Sequence, residues 1–111
     1  MKLIPTKGQI CVITKTLVRN PLSKEIINAH KTLSNTSTLY PGCIYSNNYR
    51  ESFKTSDFNT VKELTNVSLW NSYDMWKNWF NSSDRYYLSK YLYSDKSIDE
   101  NVKIFKSESQ Q

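Results

Sequence analysis

The chain has 111 residues, one domain's worth, and its apolar side chains are few at 38%, so much of any core must come from its eight Tyr, three Trp and four Phe. The net charge of +5 is spread over scattered Lys and Arg with no basic run and no base-stacking motif, which points to a solvated face and to no nucleic acid as partner. No apolar stretch approaches the roughly 20 residues of a membrane span, and Met1 to Pro5 lacks the apolar centre of a signal peptide, so a cytoplasmic protein with no membrane partner is expected; Cys11 and Cys43 fit no metal spacing and are expected as reduced, packed thiols.

In chain order, Gln9 to Val18 is rich in β-branched residues and reads as a strand, apolar on both faces in its first half and therefore central in its sheet. Pro21 opens a helix whose apolar stripe is Leu22, Ile26, Ala29 and Leu33, running to about Leu33 or a few residues beyond, with His30 beside the stripe at a helix flank or pocket rim. Ser34 to Thr38 is a polar breaker run, and Tyr40-Pro41-Gly42 is expected to turn the chain into a second, more polar strand from Cys43 to Arg50. Glu51 to Asn59 suits a hairpin connection, and Thr60 to Trp70 a third strand with a bulge near Thr65 and Asn66.

The stretch from Val67 to Leu88 organises the rest, because it holds all three tryptophans and passes from strand to helix. Asn71 or Ser72 supplies the N-cap, and Met75, Trp76, Trp79 and Phe80 follow at helical spacing. Such a cluster of rings either covers a core or lines a pocket. Asn81 to Asp84 interrupts the pattern and caps a second helix through Arg85 to Leu92; Asp95 to Asn101 is expected as loop, Val102 to Lys106 as a last strand, and residues 106–111 as a frayed tail. The order strand, helix, strand, strand, helix, strand predicts an α+β, ferredoxin-like βαββαβ sandwich, a single domain over 1–111 with its core at about 9–105. Helices on one face leave the other bare, and a sheet face carrying Ile13 and Leu17 calls for a second copy of itself.

Pro41-Gly42-Cys43 opening a strand, Trp70 and Ser72 ending another, and Trp79 with Ser82 after it resemble the antibiotic biosynthesis monooxygenase (ABM) family of dimeric α+β barrels. Many members carry a histidine nine residues after the tryptophan; Trp79 stands there in this chain, similar to the haem-degrading Isd-type branch, where a tryptophan shapes the pocket. That branch carries an asparagine on the first strand and an axial histidine on the second half of the broken helix, which fall at Thr14 and about Ser89 here. Neither side chain replaces its counterpart, so the resemblance implies no haem degradation. The acidic residue common two places before the strand-end tryptophan is replaced by Ser68.

The resemblance implies a cofactor-independent monooxygenase acting on a small aromatic or polyketide-like substrate with dioxygen, in a homodimer. In that reading Tyr45, Trp76 and Trp79 wall the pocket, Thr14 hydrogen-bonds the substrate, and His30, the one side chain whose ordinary pKa suits a general base near neutrality, is the catalytic candidate. No metal or other cofactor is implied. The alternative of a different class is a non-catalytic dimer that binds a small molecule or a haem-like ligand, and a third is that the ring cluster is simply core.

Overall fold

Period-two alternation sets which side of each strand meets the helices. A computed structural model describes residues 7–18, 24–49, 62–93 and 98–106 of the chain. Its elements run β1 (Ile10–Val18), α1 (Lys24–Ser37), β2 (Cys43–Tyr49), β3 (Lys62–Trp70), α2 (Tyr73–Phe80), α3 (Ser83–Tyr93) and β4 (Ile98–Phe105). The strands form one sheet in the order β2-β3-β1-β4, every neighbouring pair antiparallel. This is the expected α+β ferredoxin-like sandwich, with the second helix of the motif broken into α2 and α3. The expected helix start at Pro21, the connection Glu51 to Asn59 and the tail from Ser107 lie outside the described residues.

Two apolar clusters tie the helices to the even-numbered side of β1. Val18 and Leu64 pack with Ile26 of α1 at one end. Ile10, Val12 and Trp70 pack with Trp76 and Trp79 of α2 at the other. The indole N–H of Trp70, wholly buried, donates to Ser68 Oγ at 2.9 Å, so its polar edge is satisfied inside the core. Ile13, Leu17, Val67 and Phe105 lie on the opposite side of the sheet, which no described helix covers.

Ser72 rather than Asn71 caps α2, its hydroxyl accepting from the Met75 N–H at 3.2 Å. Ser82 then makes the break: its hydroxyl donates to the Trp79 carbonyl at 2.7 Å and accepts from the Arg85 N–H at 3.1 Å, closing one helix and opening the next. Gly42, at φ +91°, turns the chain into β2 where a side chain would strike Met75, whose Cβ lies 2.6 Å from the position of an added methyl.

Helix α1 runs to Ser37, a few residues beyond Leu33 as the sequence predicts, and so takes in most of the polar run. Its polar residues stay helical because Ser34 Oγ bonds Ser46 Oγ at 2.9 Å and Ser37 Oγ donates to the Ser34 carbonyl at 2.6 Å, so both hydroxyls are buried yet satisfied. The last strand begins at Ile98, inside the stretch expected as loop. The bulge is not at Thr65 and Asn66, where β3 pairs with β1 in unbroken register; it lies in β2, between Cys43 and Tyr45.

Candidate functional site

Between the covered face of the sheet and the three helices lies a cavity of about 40 Å³ with two unlike walls. Trp76, Trp79 and Phe80 of α2 form an aromatic side, with Leu33 of α1 beside them. The tilted Trp76 and Phe80 rings are 4.8 Å apart between centroids, and Tyr40 meets Trp79 edge-on at 5.0 Å. The other wall is polar: Thr14 and Thr16 from β1, Asn66 and Ser68 from β3, Asn48 from β2, and His30 from α1.

The polar wall is held by its own hydrogen bonds. Asn66 Nδ2 donates to Ser46 Oγ at 3.2 Å and to Asn48 Oδ1 at 2.9 Å, while Asn48 Nδ2 donates to the His30 carbonyl at 3.1 Å, linking β3, β2 and α1. At the far side Arg85 of α3 grips Glu100 of β4 through two Nη2 contacts of 3.0 and 2.9 Å, and its guanidinium lies 4.0 Å from the centre of the Phe80 ring. Both charged side chains are mostly withdrawn from solvent, so the pair is a fixed dipole in the cavity wall rather than a surface ion pair.

His30 is only 6% exposed. Burial holds its pKa below the ordinary histidine range, with the Glu100 carboxylate pulling weakly the other way. The imidazole is therefore neutral at pH 7 and able to accept a proton. Neither ring nitrogen is hydrogen-bonded to another described residue, and neither is a sealed, unpaired atom, so the ring opens onto the cavity space it lines.

Four of the five residues singled out from the sequence meet here: Thr14, His30, Trp76 and Trp79. Tyr45 does not. The β2 bulge pairs Tyr45 with Leu69 and Ser46 with Ser68, which sends Tyr45 to the opposite face, where its hydroxyl meets that of Tyr49. Asn48, Asn66, Arg85 and Glu100 are cavity residues that the sequence reading missed. Alternation carries a signal for two of them, since Asn66 shares a face with Leu64, Ser68 and Trp70, and Glu100 shares one with Val102.

No family model matches the sequence, and no curated protein does. Solved structures do match the fold. SnoaB, a cofactor-independent oxygenase from Streptomyces nogalater, superposes with a TM-score of 0.71 at 12% identity, covering 93% of this chain and 96% of that one. A Nitrosomonas europaea protein provisionally named an antibiotic biosynthesis monooxygenase gives 0.74 at 7% identity, with 92% of each chain covered. A similarly named protein from Caulobacter crescentus gives 0.69 at 17% identity, with 90% of each covered. At such identities the likeness is one of architecture: this chain has the ferredoxin-like α+β fold of SnoaB and of these two proteins.

Proposed function

We propose that this chain is a cofactor-independent monooxygenase of the ABM kind, acting on a small electron-rich aromatic in the cavity between sheet and helices and working as a homodimer. The observation that carries the reading is a neutral, buried and unbonded imidazole, His30, lining the same cavity as the aromatic wall of Trp76 and Trp79. The resemblance to a cofactor-independent oxygenase supports it at the level of fold.

The chemistry asked of the protein is modest. His30 takes the proton of a phenolic hydroxyl, and the phenolate, stacked on the tryptophans and stripped of water, is oxidised far more easily than the phenol. Dioxygen accepts an electron and combines with the ring at a free position para to the oxygen; loss of water from the resulting hydroperoxide leaves a quinone. One phenol and one dioxygen give one quinone and one water. Thr14, which lines the same cavity, would hydrogen-bond a substrate oxygen. Ser89, at the place of the axial histidine of the haem-degrading branch, spends its hydroxyl on the Arg85 carbonyl at 2.6 Å and offers a haem iron no ligand.

A partner copy is supported by the sheet face that no described helix covers, where Ile13, Leu17 and Val67 are half-buried and the Phe105 ring is exposed. The activity is tested with an oxygen electrode, using chelator-treated protein and a panel of hydroxylated benzenes, naphthalenes and anthrones. Oxygen uptake matched one-to-one by quinone, and reduced about 100-fold or more in His30→Gln, is the expected result. No uptake above the uncatalysed rate with any panel member would overturn the proposal.

A further inference from the structure

Each of the two cavity tryptophans has a tyrosine against it. Tyr40, in the turn between α1 and β2, meets Trp79 edge-on with ring centroids 5.0 Å apart. Tyr73, at the start of α2, meets Trp76 at 5.6 Å. The two pairs differ in what surrounds the phenol. The Tyr40 hydroxyl donates to Asp84 Oδ2, on the first turn of α3, at 2.8 Å. Backbone bonds fix Tyr40 on either side, its N–H donating to the Ser37 carbonyl at 3.1 Å and its carbonyl accepting from the Cys43 N–H at 3.2 Å. The Tyr73 ring instead has the Lys77 ammonium over it, 5.9 Å from the centroid, and its hydroxyl meets no acceptor among the described residues.

That difference decides which phenol gives up an electron. Oxidation turns a phenolic O–H into a strong acid, so the electron leaves readily where a base at hydrogen-bond distance takes the proton in the same step. A cation over the ring works the other way, because it opposes the positive charge that oxidation creates. We infer that Tyr40, with Asp84 as its proton acceptor, is a redox site of this protein, the exit by which an oxidising equivalent that lands on Trp79 leaves the cavity wall. The class of oxidant is an oxygen-centred radical, shed when a hydroperoxide such as that of the proposed reaction breaks at its O–O bond. It takes one electron from Trp79 and, with a proton from water, leaves as an alcohol or as water. The Trp79 radical cation takes an electron from Tyr40, whose phenolic proton passes to the Asp84 carboxylate, so the indole is restored and a neutral tyrosyl radical remains. A thiol in solution returns a hydrogen atom to the tyrosyl oxygen and becomes a thiyl radical, and Asp84 releases its proton to water.

Laser flash photolysis tests the site without any substrate. Light at the red edge of the tryptophan band, which tyrosine does not absorb, oxidises the indoles when a cobalt(III) ammine is present as irreversible electron acceptor. In the wild type the indole radical should decay into tyrosyl radical at a rate independent of protein concentration. Tyr40→Phe, which keeps a ring against Trp79, should give less than half the wild-type yield of tyrosyl radical and a longer-lived indole radical. Asp84→Asn, which keeps Tyr40 and removes the base, should slow the transfer several-fold, and Tyr73→Phe should change neither yield nor rate. A wild-type yield in Tyr40→Phe, an unaltered rate in Asp84→Asn, or loss of the tyrosyl signal in Tyr73→Phe overturns the inference. Because no step of the measurement needs turnover, a protein without oxygenase activity defeats the proposed function and leaves this site standing, and a failed transfer in an active protein does the reverse.

Discussion

His30 is the residue on which the proposed chemistry turns, and its burial leaves a trace in stability as well. Its pKa is lowered in the folded chain relative to the ordinary value of 6.5, chiefly by burial. Below pH 6.5 the unfolded chain therefore binds more protons than the folded one, and stability falls as the pH drops from there through the folded pKa, while above 6.5 this contribution is fully present. Urea midpoints between pH 7.5 and 5 should show this decline in the wild type and a shallower one in His30→Gln; identical slopes would place the imidazole in water. Trp79 has a double position, belonging to the buried cluster with Ile10, Val12 and Trp70 while also lining the cavity. Core and pocket are thus not alternatives for this side chain: one part of the indole is packed and another faces the empty space.

At the scale of elements, the strands and the broken helix were legible because their signals are local. β-branched residues mark β1, and the four-residue gap between Trp76 and Phe80 marks the buried side of α2. What escaped was decided by contacts between elements. Ser34 and Ser37 look like helix breakers until Ser46, on another element, supplies a partner for the first of them. Glu100 looks like a loop residue until Arg85, on α3, neutralises it against β4. Tyr45 was assigned the wrong face because a single inserted residue in β2 inverts every side chain beyond it, and Ile44, the residue inside that irregularity, carries no sequence mark of its own. Three of the aromatic and polar site residues, Thr14, Trp76 and Trp79, were found by the family resemblance, and His30 by being the only histidine. The asparagines were missed because an asparagine facing a core is invisible without knowing which face is the core.

For the whole molecule, the sheet has one side sealed by helices and another that pairs Ile13 with Val67 and sets Cys11 beside Leu69 and Phe105. Phe105 is 48% exposed there, and a dimer through this side would remove its ring from water. Sedimentation at low micromolar concentration should give a dimer of the 13.1 kDa chain, and Leu17→Arg, which would bury an unpaired charge at the joint, should give monomer or aggregate. A monomeric wild type would remove the homodimer from the account without touching the cavity. The division of labour between the two sheet faces, chemistry on the helix side and association on the other, is the central claim, and a crystal structure of the protein soaked with a hydroxylated naphthalene tests it most directly. The account predicts ligand density between Trp79 and His30 on the helix side of the sheet; density on the opposite side, beside Tyr45 and Phe105, would contradict it.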